Sequence, residues 1–365
     1  MPVADFEVTI PETMRAAVYK GQGVVTVERI PTPEIGPGEL LVRVEACGIC
    51  HTDLKKIEHN LLAPPRVYGH ETAGVVAKAG RHARGFVAGD RVVVFHHIPC
   101  LNCFYCSRKL FAQCPVYKKV GVTAGFEPAG GGFSQFVRVM DWIVDRGVEK
   151  IPDGVSFERA SFVEPVNTCL KAVAQCAPQP GETVLIMGQG PIGLIFTMLM
   201  KRAGAHVITT ESIPARRELS VQCGAELALD PRGADVAGAL RAISDGRGAD
   251  LVILAASAPG LVDQATRWSR PGARILLFAQ TSDTERIELS GASICMGERM
   301  VFGCYSASVE LQKQSAELVF SGALPVDLLV SHKLPLNEIR SAFDLALHPD
   351  GQSLKIILTP QRWTE

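Results

Sequence analysis

The run ETVLIMGQGPIGLIFTMLMKRAG, residues 182–204, constrains the path of the chain more than any other stretch. A continuous apolar strand, ETVLIM, ends in Gly188-x-Gly190-x-x-Gly193, and a helical pattern starts at once. Strand, glycine turn and helix in that order build a cradle for a pyrophosphate. Gly188 permits the tight turn, Gly190 lets backbone approach the phosphates, and Gly193 lets helix and strand pack closely. The phosphates then face unpaired amides at the helix N-terminus, where the dipole favours negative charge. Such a site expects an acidic residue about 20 positions on, and HVITTE ends in Glu211. Its carboxylate accepts both ribose hydroxyls and repels a 2′-phosphate, so NAD is expected rather than NADP. Arg216, a helical turn further on, reaches toward the adenosine ribose, although its guanidinium also suits a phosphate. A packing loop beside a solvated glutamate is the plain alternative, and the ordered series of elements speaks against it.

The same grammar continues downstream. HVITT (206–210), AELALD (225–230), DLVILAA (250–256) and ARILLF (273–278) read as strands, with PARRELSVQCG and LVDQATRWS as helices among them. Buried strands alternating with helices describe an α/β chain with a doubly wound parallel sheet. Before about residue 165 the pattern differs. ELLVRVEA (39–46), TAGVVAKAG (72–80) and DRVVVF (90–95) are separated by Gly and Pro, as in a twisted, mostly antiparallel β domain. GFEPAGGGF (125–133) reads as a loop. At 365 residues the chain exceeds one average core, so two domains are expected. The first covers 1–164 and the second 165–302. A tail from Gly303 adds the helix SVELQKQSAELVFSG and a last strand, SLKIIL.

MPVADFEVTI lacks the basic region and apolar core of a secretory signal, and the apolar run PIGLIFTMLM is broken by Lys201 and Arg202 short of a bilayer span. A cytoplasmic chain with no membrane partner is expected, and a formal net charge of -1 gives no reason to expect nucleic acid. Clustered thiols in reducing cytosol hold metal or do redox chemistry rather than form disulfides. Cys100, Cys103, Cys106 and Cys114 follow C-x2-C-x2-C-x7-C, a spacing that surrounds one ion tetrahedrally. Zinc is expected; an iron–sulfur cluster also suits four thiolates, and a metal-free thiol loop is the plain reading. Four protein ligands fill such a site, so it braces a loop and any chemistry lies elsewhere.

GICHTD carries Cys50, and GHETAG carries His70 and Glu71. A thiolate, an imidazole and a carboxylate make a three-point zinc site with a fourth position open, as catalysis requires. Singly, each has a duller explanation. Cys50 is then a buried small apolar residue or half of a CxxC pair with Cys47, and His70 a hydrogen-bonded turn residue. A redox CxxC usually opens a helix in a thioredoxin-like unit, whereas Cys47 lies near the end of a β-domain strand.

Together these stretches resemble the zinc-containing medium-chain alcohol dehydrogenases. GHETAGVVAKAGRHA fits the family's G-H-E-x-x-G-x5-G signature, and GICHTD looks like its first zinc-ligand loop. The cysteine lobe, about 96–116, matches the family's structural zinc site and GQGPIG its cofactor loop, all in the family's order over essentially the full chain. The resemblance implies a GroES-like catalytic β domain (1–164 and 303–365) interrupted by a Rossmann domain (165–302), with substrate bound between them. It implies two zinc ions per chain, one catalytic and one structural. Cys50 and His70 then ligate the catalytic ion. Glu71 and Glu164 exchange or share the remaining coordination, because FVEPVNTCLKAV resembles the polyol and threonine dehydrogenase branch. Cys169, five residues beyond Glu164, is read as a packing residue. Gly188, Gly190, Pro191, Ile192 and Gly193 form the cofactor loop. Asp53 orients His70 by accepting its free N–H, or is a solvated loop carboxylate.

The implied activity is hydride transfer between an alcohol and NAD, with zinc acidifying the alcohol. Thr52 matches the hydroxyl that carries the proton outward. The histidine that often continues this relay is replaced by Lys55, so the proton leaves through Lys55, through His51 or directly to water. The EP segment and LLVSHKLPLNEIRSAFDLAL resemble sorbitol and threonine dehydrogenases, which implies a secondary alcohol or polyol as the small-molecule substrate. Phe104, Tyr105, Phe126 and Phe133 either line an apolar pocket or pack the lobe. A dehydrogenase of simple or aromatic alcohols is one alternative, and a non-catalytic zinc- and nucleotide-binding protein of the same fold another. Relatives are commonly dimers or tetramers, so a homo-oligomer is expected.

Overall fold

The computed structural model describes residues 9–95, 97–117, 130–279 and 286–362. Phe126 and the 125–129 part of the glycine-rich loop lie outside the described residues. The chain divides into two compact units, Met1–Asn167 with Ala307–Glu365, and Thr168–Ser306.

The first unit opens with the antiparallel pair β1 (Thr13–Gly21) and β2 (Val24–Pro31). It continues with β3 (Leu40–Gly48), β4 (Arg66–Val67), β5 (Glu71–Ala79), β6 (Arg91–Val94), β7 (Phe136–Val139) and β8 (Val148–Lys150). The second unit holds β9 (Thr183–Met187), β10 (His206–Thr210), β11 (Leu227–Leu229), β12 (Ala249–Leu254), β13 (Ser269–Leu277) and β14 (Met300–Gly303). The chain then returns to the first unit with β15 (Val330–Pro335) and β16 (Lys355–Thr359).

In the first unit the main sheet runs β15-β16-β3-β5-β6-β8, with β7 also paired to β3. All its pairings are antiparallel except β15 with β16. Alternation along β3 turns Leu40, Val42 and Val44 into a core shared with Val76, Val92 and Val137, burial that drives the sheet to fold on itself. This is the mostly antiparallel β architecture the sequence implied.

The second unit is a parallel sheet in the order β11-β10-β9-β12-β13-β14. In chain order its strands run 3-2-1-4-5-6, the doubly wound arrangement, and the order reverses between β9 and β12, where such sheets bind ligands. TVLIM of β9 and ADLVIL of β12 are buried along their whole length, as central parallel strands are.

The helix Val163–Cys176 carries the chain out of the first unit. Within it Asn167 is fully buried. Its Nδ2 donates to the Ser308 carbonyl at 3.0 Å, and its Oδ1 accepts the Ser308 N–H at 2.8 Å. One side chain thus fastens the point where the chain leaves the unit to the point where it comes back.

Candidate active site

The end of β3 and the start of β5 build the centre of the first unit. Their antiparallel register pairs Gly48 with Glu71, which sets Cys50, two residues past β3, beside His70, one residue before β5. A slip of one residue would turn these side chains to opposite faces. Cys50 caps the helix His51–Glu58, and its Sγ accepts the Thr52 N–H at 3.5 Å. The helix N-terminus favours negative charge on that sulfur.

His70 is 5% exposed, and its Nδ1 lies 3.0 Å from Oδ1 of the fully buried Asp53. Asp53 is therefore no solvated loop carboxylate. Burial opposes its charge, yet the adjoining His70 holds its carboxyl below the usual range. Burial likewise opposes a charged His70, but Asp53 on one side and Cys50 on the other raise it well above its ordinary value. The imidazole thus bridges a carboxylate and a sulfur, and the same field favours a divalent cation at Nε2. One donor atom each from Cys50, His70 and Glu71 lie within 4.8 Å of one another. Thiolate, imidazole and carboxylate at that spacing fit zinc.

Glu164 stands outside that trio. It is 6% exposed, and burial pushes its carboxyl up to about 7, with His70 pulling it down and Glu71 pushing it up. Thr52 is half-buried, Lys55 is half-buried and His51 is exposed, all in the same helix. Cys47 is fully buried, with Sγ 3.6 Å from the Thr72 hydroxyl, and burial raises its thiol far above the ordinary range. That environment gives no reactive thiolate.

Lys355 belongs to this centre and was not singled out in the sequence. It begins β16, is 4% exposed, pairs with the Glu71 carboxylate and donates to the Ile49 carbonyl at 3.1 Å. The signal was a lysine set in an apolar strand, KIILT, since lysine is almost never fully buried unless paired.

The cysteine lobe is closed on itself. The sulfurs of Cys103 and Cys106 are 3.5 Å apart, as are those of Cys114 and Cys100, and Cys100 is 3.9 Å from Cys106. Zinc–sulfur bonds of about 2.3 Å in a tetrahedron separate the sulfurs by roughly 3.8 Å, whereas a disulfide needs about 2.05 Å. The donor set fits a metal held by all four. Cys106, Phe111, Cys114 and Tyr117 pack with Val309, and the Tyr117 hydroxyl donates to the Ala307 carbonyl at 3.3 Å. Phe104 and Tyr105 lie exposed on this lobe in edge-to-face contact, while Phe133 is buried in the main core against Phe343.

In the second unit Gly188 takes φ 96°, and a Cβ there would sit 2.7 Å from Ala256 Cβ. Gly193 packs against the Gly188 carbonyl with no room for a side chain. A Cβ on Gly190 would meet nothing within 4 Å, so the middle glycine opens onto free space at the head of the helix Pro191–Arg202, whose N-cap has no side-chain partner. Pro191 and Ile192 form its first turn. Glu211, 8% exposed, accepts the Gln189 N–H at 2.7 Å and the Ile213 N–H at 3.0 Å. Arg216 is close enough for that carboxylate's charge to act on it. Cys169 is buried, its thiol 3.9 Å from the Ile192 carbonyl. Open glycine, bare helix terminus and acid fit a dinucleotide.

Residues 36–153 match the alcohol dehydrogenase GroES-like domain, and residues 191–321 match the zinc-binding dehydrogenase family. The chain is 30% identical over 360 residues to the sorbitol dehydrogenase of Bacillus subtilis (strain 168), covering 97% of this chain and 99% of that enzyme. It is 31% identical to the L-threonine 3-dehydrogenase of Pyrococcus horikoshii, covering 89% and 92%. A zinc-binding dehydrogenase from Sinorhizobium meliloti 1021, solved with NADP bound, superposes with a TM-score of 0.86 at 29% identity over 96% of this chain and 100% of that one. Among the described residues no helix is long and apolar enough to cross a membrane.

Proposed function

The chain belongs to the zinc-binding alcohol dehydrogenase family, and from that premise we propose that it transfers a hydride between NAD and a secondary alcohol or polyol. The observation that carries this reading is the convergence of Cys50, His70 and Glu71 donors within 4.8 Å, a set that suits zinc and leaves room for a substrate. Zinc, when bound there, polarises the alcohol oxygen and makes its hydroxyl far more acidic. Cys50 and His70 hold the ion, and Glu71 and Glu164 share or exchange the remaining protein coordination. Asp53 keeps the His70 proton on Nδ1, so that Nε2 presents its lone pair. Thr52, two residues past Cys50, takes the alcohol's proton and hands it outward toward Lys55 or solvent.

On the nucleotide side the Gly188, Gly190 and Gly193 turn, with Pro191 and Ile192, holds the pyrophosphate at the helix head. Glu211 holds the ribose hydroxyls and Arg216 flanks the adenosine. The bound nicotinamide supplies the hydride acceptor. The buried Glu211 carboxylate supports NAD, although the Sinorhizobium neighbour was solved with NADP. Relatives named for sorbitol and for L-threonine favour an alcohol bearing further polar groups over a simple or aromatic one. Cys100, Cys103, Cys106 and Cys114 hold the second, structural zinc. Reduced thiols at that density fit a cytoplasmic protein; a homo-oligomer is proposed because relatives of this family are commonly dimers or tetramers, and sedimentation of the purified protein tests it.

The deciding experiment is a screen for NAD and NADP reduction across polyols, amino alcohols, aromatic alcohols and short alcohols, with zinc content measured alongside. Turnover on a polyol or a hydroxy amino acid with about two zinc ions per chain is expected. A zinc-loaded protein inert on the whole panel overturns the reading.

A further inference from the structure

Lys355 reaches the metal centre by an unusual route. In the main sheet of the first unit β16, β3 and β5 lie side by side, with β3 in the middle. Lys355 starts β16, yet its ammonium pairs with Glu71 at the start of β5. The side chain therefore crosses over β3, and the residue of β3 paired with Glu71 is Gly48. A Cβ on Gly48 would collide with both the Glu71 carboxylate and Cε of Lys355. The missing side chain is what lets the ion pair form. Nζ also donates to the Ile49 carbonyl at 3.1 Å, one residue before Cys50.

Glu71 thus has two claims on it. A carboxylate oxygen of Glu71 lies within 4.8 Å of the Cys50 and His70 donors, and the same carboxylate is paired through Oε2 with Lys355. With the lysine gone, a carboxylate 1% exposed would keep its charge only beside another cation.

We propose that Lys355, laid across Gly48, is a positioning residue that competes with the metal for Glu71 and so sets its exchange with Glu164: while the ion pair holds, Glu164 takes the protein place beside Cys50 and His70 and one position stays open for substrate. The proposal rests on the metal-site reading above. Lys355 touches neither substrate nor reacting atoms; it acts through Glu71. Its absence frees Glu71 to swing onto the ion and close the shell.

Cobalt replacing zinc reports this without any turnover, because its visible bands follow coordination number and thiolate ligation. In wild type, added imidazole shifts the bands as it takes the open position. Lys355→Arg keeps the response. Lys355→Met weakens imidazole binding by about tenfold or more, the scale on which outer partners tune metal sites, and slows removal of that cobalt by chelator. The double variant Lys355→Met/Glu71→Gln binds imidazole again. A Lys355→Met protein that binds imidazole as wild type does, or a double variant that stays closed, overturns the proposal. Should Lys355→Met fail to fold, Lys355→Gln, which keeps a polar tip without the charge, must close the site in the same way; an open Lys355→Gln site overturns it too. The metal-site reading fails separately, if Cys50→Ser leaves the cobalt bands of this site unchanged.

Discussion

His70 Nδ1 lies 3.0 Å from Asp53 Oδ1, and both side chains are buried. Asp53 stands in the first turn of the helix that Cys50 caps, so a single short helix supplies one donor of the centre and orients another. One ring nitrogen is committed to Asp53, and the imidazole meets Cys50 on its other side.

Replacing Asp53 by Asn tests that arrangement. The amide no longer stabilises a positive imidazole, and metal affinity and kcat should each fall by about 10- to 100-fold. Zinc competition with a chromophoric chelator gives the first number and steady-state kinetics the second. Unchanged zinc affinity would place Asp53 outside the metal's support.

Cys47 and Cys50 are close in sequence and opposite in character. Cys47→Ser should keep most of the activity and cost about 1 kcal/mol of stability, since it leaves a polar hydroxyl in a dry pocket beside Thr72. Cys50→Ser should lose one zinc ion per chain and nearly all turnover. The reverse pattern would restore thiol redox chemistry as the function.

The lobe's zinc should bind more weakly in acid. Burial, with hydrogen bonding to Cys103, pushes the Cys106 thiol up to about 12, so at pH 7 the metal-free site carries a proton that zinc must expel. Proton release on binding makes affinity rise with pH. Affinity should drop by about tenfold per pH unit for each proton displaced, so by about 100-fold per proton between pH 8 and pH 6. Calorimetry in buffers of different ionisation heat counts those protons.

Glu164 sets a pH dependence of opposite sense in the metal-stripped protein. Its folded carboxyl is raised to about 7 by burial, above an ordinary value of about 4.3 in the unfolded chain. A raised carboxyl binds its proton more tightly when folded, so its stabilising share is full below pH 4 and lost as pH climbs through 7. Urea unfolding of chelated wild type should show a decline of up to about 3 kcal/mol over that window, and Glu164→Gln should flatten it. Equal slopes for the two proteins would contradict the assignment.

Glu211 accepts two backbone N–H groups and is proposed to hold the ribose. Glu211→Ala should raise KM for NAD by about 10- to 100-fold, the worth of hydrogen bonds to a charged group, and shift preference toward NADP. The ratio of kcat/KM for the two cofactors reads this directly.

Much of this was visible in the sequence, because its signals are local. The glycine turn, the four-cysteine lobe and the strand–helix alternation each live within a few dozen residues. Cys50 and His70 were readable from their flanking motifs, although only the Gly48–Glu71 register brings them together. Lys355 was not readable. Its partner lies across a neighbouring strand, and sheet order, not sequence spacing, decides that meeting. Phe133 carries the same lesson: it follows a glycine-rich loop next to the motifs, yet the fold spends it on the main core against Phe343. Glu164 could be placed near the centre from its segment, but its distance from the Cys50, His70 and Glu71 trio depends on packing of a whole helix.

The bond pair between Asn167 and Ser308 has a consequence for how such a chain can be taken apart. Exit and re-entry points that touch leave two loose ends side by side once 168–306 is cut away, and a linker of a few residues would reseal them at small entropic cost. Cys50, Asp53, His70, Glu71, Glu164 and Lys355 all remain on the resealed piece. The nucleotide-handling half is therefore a removable cassette, open to exchange by recombination without rewriting the metal chemistry around it.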